Sequence, residues 1–272
     1  MAWSGFRAAN TWDDVRDGDG VRYGDALAAL LDSEADLPRR ALGGRAHAYI
    51  EAHIEQGPLL EAERLDVGVV TGIQGSRWFR VTVNGASAHA GTAPLSLRRD
   101  ALQDAIRAIS ALNVAMADPD DVLRFTVGRM VVSPNSSNSV AGQVVFTIDL
   151  RHPDRDVLIA RGDAVGGIIQ GALLQCAAEI VETFHALPAA FDPAVVDCVE
   201  RAASSCGLGH RRMPSGAFHD AQFVGSVAPA GMIFVPCRDG ISHNPAEYSS
   251  AEQLGAGTRV LAAAVVELAE VG

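Results

Sequence analysis

The sequence predicts an α/β protein of two domains, in which a smaller domain is inserted into the chain of a larger one. A strand–helix–strand–strand–helix–strand pattern occupies residues 76–188, and segments of different organisation flank it at residues 1–75 and 189–272. The chain has 272 residues, of which 48% are apolar, and this is enough to bury one large core or two modest ones.

The first region, residues 1–75, is predicted to contain one short helix and one buried segment. It begins with an acidic, turn-rich stretch that leads into a helix at about residues 23–31. Residues 46–54 are apolar enough for a buried strand or the end of a helix. Gln56-Gly57-Pro58 ends this segment, because glycine and proline interrupt both kinds of structure.

The middle region has the clearest periodicity. Alternating apolar residues predict strands, and apolar residues spaced three and four apart predict helices. In chain order, these are a strand at 78–85, a helix at 95–112, strands at 124–132 and 144–150, a helix at 157–178 and a strand at 179–185. This order is that of a split βαβ sandwich, with both helices on one face of an antiparallel sheet.

The third region, residues 189–272, returns to longer helices and a single strand. We predict a helix at 193–206 that ends at Gly207, a short buried strand at 231–235 and a long amphipathic helix at 251–269.

Composition excludes several functions. All 22 basic residues are arginine, so no lysine is present to act as a base, a Schiff-base amine or a phosphate-loop cation. The 33 acidic residues give a net charge of −11, which argues against nucleic-acid binding because that function needs clustered cations.

The cysteines and the apolar segments indicate a cytoplasmic protein. Cys176, Cys198, Cys206 and Cys237 show no Cys-x-x-Cys spacing and are expected to be reduced thiols. No apolar run approaches the roughly 18 residues of a membrane span, and no secretion signal is recognisable, so we expect no membrane partner.

Three histidine motifs indicate a functional site. They are Ala52–Pro58 around His53, Ala88–Thr92 around His89 and Ser242–Glu247 around His243. In each motif the histidine lies beside small or polar residues, so that solvent or a substrate can reach its ring, as a metal ligand or catalytic histidine requires.

Together these motifs resemble the binuclear metal-dependent amidohydrolases of the hydantoinase/carbamoylase type. That family includes N-carbamoyl-L-amino-acid hydrolases, allantoate amidohydrolases and β-ureidopropionases, and it is related to aminoacylases and dimetal carboxypeptidases. The resemblance extends from about Trp3 to Ala269. It implies a dimetal-hydrolase catalytic domain, formed by residues 1–75 and 189–272, with residues 76–188 inserted as a lid and dimerisation domain.

The resemblance also implies that the catalytic domain is partial. Trp3-Ser4-Gly5-Phe6 is similar to the stretch that follows a Glu-Glu pair in the family, and the family's earlier motifs, among them its general base, have no counterpart here. We therefore expect the chain to correspond to the C-terminal portion of such an enzyme and to be inactive when alone.

The family's metal site implies two divalent ions, zinc or manganese, bound weakly or not at all by this chain alone. His53 and His243 match ligands to different metals. Glu55 and Glu247 match carboxylates that orient those two rings. His89 matches the residue that donates a hydrogen bond to the oxyanion of the tetrahedral intermediate, typically across a dimer interface.

Four further residues match the family's substrate-binding positions. Asn138 and Arg151 are expected to bind the substrate carboxylate, for which a guanidinium offers a planar fork. Gln56 is expected to contact the polar head of the substrate, and His219 its amide or carboxylate. Phe218 departs from the family, in which glycine is usual at this position.

The predicted function is therefore hydrolysis of a linear C–N bond in N-carbamoyl amino acids or allantoate, by a homodimer that pairs through its lid. Three alternatives remain open at this point: a non-catalytic protein that binds such a ligand, a dimerisation module, and an enzyme of aminoacylase or dipeptidase specificity.

Overall fold

The structure is a computed structural model that describes residues 8–38, 43 and 46–270, so the Trp3–Phe6 stretch lies outside the described residues. The chain folds into two compact units, one within Met1–Ile73 and Ala190–Gly272 and the other within Gln74–Ala189. The predicted α/β class with two domains is confirmed. None of the described helices has the length and hydropathy needed to cross a membrane.

The elements alternate along the chain. The helices are α1 (Tyr23–Ser33), α2 (Leu59–Ala62), α3 (Ala101–Ala115), α4 (Arg155–Ala172), α5 (Pro193–Ser205), α6 (Asp220–Val224) and α7 (Ala251–Glu270). The strands are β1 (Tyr49–Ile54), β2 (Val67–Ile73), β3 (Gly75–Asn84), β4 (Ala88–His89), β5 (Arg124–Ser133), β6 (Ser139–Val140), β7 (Gln143–His152), β8 (Ala177–Ala186), β9 (Ala189–Ala190), β10 (His210–Ser215) and β11 (Ala230–Val235). Short 3-10 helices occupy Ala9–Trp12, Leu95–Leu97 and Arg238–Gly240.

The sheet of the larger unit has the order β1-β11-β2-β10, with β9 paired to β2. Strand β1 runs parallel to β11, while β11 runs antiparallel to β2. Helices α5 and α7 pack against β11, all six residues of which are buried. Because the strand is covered on both faces, its sequence is continuously apolar and does not alternate.

Strand β2 was not predicted from the sequence. Six of its seven residues are buried, so it too lacks the alternation on which the prediction depended. Gly68 obscured it further; a Cβ at this position would lie 2.7 Å from Sδ of Met213, which would have to move. Strand β10, which pairs in parallel with β2, was missed as well.

The inserted unit contains a four-stranded antiparallel sheet in the order β5-β7-β3-β8. Helices α3 and α4 pack against each other and against this sheet, and together they bury one hydrophobic core. The predicted strand–helix–strand–strand–helix–strand order is present. A separate two-stranded ribbon pairs β4, which follows β3 in the chain, with β6, which precedes β7.

The predicted end of the second helix in this unit is wrong. Helix α4 ends at Ala172, before the predicted residue 178, and Leu173 is already extended, with ψ 142°. The cause is Asp104 of α3, whose buried carboxylate accepts backbone N–H groups from Gln175 and Cys176 at 3.0 and 2.8 Å. These bonds satisfy amides that a longer helix would have used internally.

Candidate metal and substrate site

His53 lies at the carboxyl end of β1, opposite Phe234 of the parallel strand β11. Its Nδ1 is 2.9 Å from the carbonyl oxygen of Ile54. A carbonyl oxygen only accepts hydrogen bonds, so Nδ1 carries the hydrogen and Nε2 retains a lone pair. Metal-ligating histidines typically have this arrangement, in which the second nitrogen donates to a carbonyl or carboxylate.

The loop after β1 is joined to the loop that carries His243. The side-chain amide of Gln56 donates a 2.8 Å hydrogen bond to the hydroxyl of Ser242, the residue before His243. The two loops are in close contact, since a Cβ on Gly240 would lie 2.9 Å from the carbonyl carbon of Gly57. The fold therefore brings the first and third histidine motifs together.

Two residues of these joined loops have left-handed backbone conformations, Gln56 with φ 57° and His243 with φ 56°. Such conformations are uncommon for residues with a side chain and cluster at functional sites. Glu247 stabilises the second by accepting the backbone N–H of His243 at 3.0 Å. The imidazole of His243 is exposed.

The two glutamates that were expected to orient histidine rings contact backbone amides. Glu55 is buried, and its two carboxylate oxygens accept the N–H groups of Leu59 and Leu60, each at 2.9 Å. It thereby caps the first turn of α2 and fixes the chain direction after His53. Glu247 likewise accepts a backbone N–H group of its own loop, that of His243.

His219 is the most buried histidine of the site, with 6% of its surface exposed. Its Nε2 is 2.9 Å from the hydroxyl oxygen of Ser215, and its Nδ1 is 3.7 Å from a carboxylate oxygen of Glu51. Its ring lies edge-on to that of His53, with the centroids 4.6 Å apart. His219 and His53 are therefore in direct contact.

Burial, with a smaller contribution from the proximity of His53, lowers the pKa of His219 to about 4. The ring is consequently neutral at neutral pH, and its contact with Glu51 joins a carboxylate to an uncharged imidazole. Burial, together with the nearby carboxylate of Glu51, raises the pKa of Tyr49 to about 12.

The contacts from Ser215 through His219 to Glu51 follow the order serine, histidine, carboxylate, as in a nucleophilic triad. The burial of Ser215 argues against that role. Ser215 has no exposed surface, and its hydroxyl also makes two 3.1 Å hydrogen bonds with the backbone of Ala217. A nucleophile must reach its substrate. Ser215 therefore orients His219, and neither it nor Glu51 was predicted from the sequence.

Phe218, the residue at which the sequence was expected to depart from the family, is half-buried and packs against the hydrophobic core of the larger unit. Its bulk is thus accommodated by the core.

In the inserted unit, the β4–β6 ribbon brings two predicted site residues together. His89 is exposed and pairs with Ser139, and the N–H of Ala90 donates to the carbonyl of Asn138 at 2.9 Å. The side-chain oxygen of Asn138 accepts a 2.8 Å hydrogen bond from the hydroxyl of Ser136.

Arg151, on β7, is held by a carboxylate of its own strand. Its Nε and Nη2 donate to the two oxygens of Asp149 at 2.9 and 2.6 Å. Asp149 is fixed in turn by the hydroxyl of Ser76 at 3.2 Å. The guanidinium therefore has a defined orientation.

Within residues 8–38, 43 and 46–270, no three histidine, cysteine, aspartate or glutamate side chains form a group suited to one metal ion. His53 and His243 remain the two predicted ligands, and the tautomer of His53 suits that role.

The chain belongs to peptidase family M20/M25/M40, whose sequence model matches residues 20–267. Enzymes of this family generally contain two metal ions. The predicted resemblance is confirmed at this level.

Comparison with individual proteins shows which enzymes the chain is similar to. The chain is 39% identical to an N-carbamoyl-L-amino-acid amidohydrolase of Paenarthrobacter aurescens, covering 96% of this chain and 64% of that protein. It is 39% identical to the allantoate amidohydrolase of Bacillus subtilis strain 168, covering 82% and 54% of the respective chains. A crystal structure of a hydantoinase/carbamoylase-family amidase from Burkholderia multivorans matches with a TM-score of 0.87 and 41% identity, covering 98% and 65%. The chain thus spans less than two thirds of the length of these relatives.

Proposed function

We propose that this chain takes part in metal-dependent hydrolysis of a linear amide or ureido C–N bond, with an N-carbamoyl amino acid or allantoate as substrate. One observation carries the proposal: the Nδ1–H of His53 is bonded to the carbonyl of Ile54, which leaves Nε2 as a ligand atom. Relatives that cover most of this chain are amidohydrolases of these two substrates, which supports the choice of bond.

Two divalent metal ions, zinc or manganese, are proposed as cofactors, with His53 and His243 as ligands to different ions. The bond between Gln56 and Ser242 supports this assignment because it keeps the two histidine loops together. When bound, such ions supply Lewis acidity and lower the pKa of water.

The remaining groups of the larger unit are proposed to bind the substrate. Gln56 already donates through its amide nitrogen to Ser242, so its carbonyl oxygen is the group suited to accept a substrate N–H. His219 is neutral at neutral pH and does not add a positive charge beside the proposed metal ligand His53.

In the inserted unit, Arg151 and Asn138 are proposed to bind the substrate carboxylate, and His89 to donate to the oxyanion. Arg151 supports this role through its fixed guanidinium orientation, which reduces the entropy lost on binding. A donor placed where negative charge develops stabilises the transition state by roughly 3 kcal/mol.

A homodimer through the inserted unit is also proposed. Strand β5 lies at the edge of its sheet and exposes Met130 and Val131, at 41% and 45% of their surfaces. A second copy can pair with such an edge about a two-fold axis. We expect Val131→Lys to shift the mass measured by sedimentation from dimer to monomer, whereas a monomeric parent chain contradicts the assignment.

We also propose that the protein is located in the cytoplasm. All four cysteines are unpaired, as suits a reducing compartment.

The test is an assay of ammonia release from N-carbamoyl amino acids and from allantoate, with zinc or manganese added. It compares the chain alone with the chain supplemented by the part of the Paenarthrobacter aurescens relative that it does not span. We expect metal-dependent turnover in the supplemented reaction, and at least a hundredfold loss in His53→Gln. His47→Gln, which replaces an exposed histidine, is the matched control. Turnover that needs no metal, or that survives His53→Gln, contradicts the proposal.

A further inference from the structure

The loop that carries His89 is closed by its own backbone. The carbonyl oxygen of His89 accepts N–H groups from Thr92 and Ala93, at 3.3 and 3.1 Å. Ala90 is bonded to Asn138 of the neighbouring loop. The carbonyl oxygens of Ala90 and Ala93 take no part in these bonds and are available to other donors.

Arg98 supplies those donors. Its Nε donates to the carbonyl of Ala93 at 2.9 Å, and its Nη2 donates to the carbonyl of Ala90 at 2.6 Å. A planar guanidinium binds two acceptors at once with fixed geometry, which the single ammonium group of lysine does not reproduce. Arg98 is half-buried, so these charge-assisted bonds are partly shielded from water.

The same loop sets the tautomer of His89. The backbone N–H of Gly91 donates to Nδ1 of His89 at 3.1 Å. This bond needs a lone pair on Nδ1, so the neutral ring carries its hydrogen on Nε2. The ring lies close to Gly91, since a Cβ there would be 3.3 Å from Cε1 of His89. A larger residue would therefore displace the ring.

We propose that Arg98 and the Gly91 amide are positioning groups that prepare His89 as an Nε2–H donor. Arg98 holds the loop through its two carbonyls, the loop holds the Gly91 N–H against Nδ1, and the exposed Nε2–H is thereby directed outward. This inference rests on the proposed function, in which His89 donates to an oxyanion. It adds two residues to which the sequence motif assigned no role.

The first test needs no turnover. In the full chain labelled with ¹⁵N, the Gly91 N–H···Nδ1 bond gives a scalar coupling between the two nitrogens, and long-range correlations identify the protonated nitrogen of His89. We expect the coupling and an Nε2–H tautomer in the parent chain, and loss of the coupling in Arg98→Ala. Arg98→Lys is expected to restore it in part, and Arg99→Ala, which removes the same charge from the exposed neighbouring residue, to leave it unchanged.

Gly91→Ala provides a second variant that leaves Arg98 in place. The added methyl group is expected to displace the ring and weaken the coupling, which keeps the inference testable if Arg98→Ala does not fold. An Nδ1–H tautomer in the parent chain, or an unchanged coupling in both variants, overturns the inference.

The second test uses the supplemented, active protein. Arg98→Ala is expected to lower kcat about tenfold or more with little change in KM, because a misdirected donor affects the transition state more than substrate binding. If the parent protein turns over and Arg98→Ala has the same kcat, the inference is wrong while the proposed function stands. If no turnover occurs but the coupling depends on Arg98, the proposed function fails and the positioning of His89 is supported.

Discussion

The imidazole rings of His53 and His219 lie edge to face, with their centroids 4.6 Å apart. Glu51 is two residues before His53 on β1, so the two side chains project from the same face of the strand. His219 lies against both, at 3.7 Å from the carboxylate of Glu51. A ring held in this way by a neutral neighbour has little freedom to rotate, which suits the role proposed for His53, that of a metal ligand through Nε2.

Ser215→Ala tests the anchor of His219. The substitution removes the partner of a buried ring nitrogen at 2.9 Å, and we expect it to lower the free energy of unfolding by about 2 kcal/mol. Ser226→Ala is the control, because Ser226 makes a comparable 2.7 Å hydrogen bond in an exposed turn, and its loss should cost much less. Urea denaturation measures both, and equal effects in the two variants argue against a buried anchor.

The second prediction concerns the amount of metal that the chain alone retains. We expect the chain alone to bind zinc or manganese weakly and below two equivalents, because His53 and His243 are assigned to different ions and one histidine does not satisfy a four-coordinate site. Elemental analysis after extensive dialysis measures this, with His47→Ala as an exposed-histidine control. Two equivalents retained by the parent chain would show that the ligand assignment is incomplete.

For Arg151→Ala, we expect KM to rise at least tenfold in the supplemented protein while kcat changes by less than about threefold. The reason is that a carboxylate remote from the reacting carbon is bound equally in the ground and transition states. Arg155→Ala, which removes an exposed arginine at the start of α4, should leave both constants unchanged. A lower kcat with an unchanged KM would assign Arg151 to the reaction step.

The elements that the sequence predicted well are those with one buried face. Strand β7, and strand β3 from Phe79 onwards, alternate between buried residues and more accessible ones, and this pattern is visible in the sequence. Strand β2 is buried on both faces and lacks it. The end of α4 was missed for a different reason: Asp104, which terminates the helix, belongs to α3 and is distant in sequence.

In the candidate site too, some features were predicted from the sequence and others were not. His53, His89 and His243 were found because each lies in a recognisable local motif. The contacts that orient the first two could not be predicted, since they depend on backbone groups or on residues distant in sequence. Glu51 was missed because residues 46–54 were interpreted as either a strand or the end of a helix, and only a strand places residues two apart on one face.

Asp104→Asn provides a pH-dependent prediction. Burial alone would raise the pKa of Asp104, but the backbone N–H groups of Gln175, Cys176 and Leu174 outweigh it and hold the pKa below the ordinary value of 3.8. A carboxyl group with a depressed folded-state pKa stabilises the fold above the unfolded-state value, and this contribution disappears as pH falls through the folded-state value.

We therefore expect Asp104→Asn to lower the free energy of unfolding by about 2 kcal/mol near pH 7, because a charged acceptor of several N–H groups is replaced by a neutral one. The difference from the parent chain should stay constant down to about pH 5 and shrink below about pH 4, where Asp104 becomes protonated in the unfolded state and then in the folded state. Urea denaturation across this range measures it, with the exposed Asp120→Asn as control. A difference that is independent of pH would mean that Asp104 acts through its shape alone, and that its charge does not hold the loop after α4.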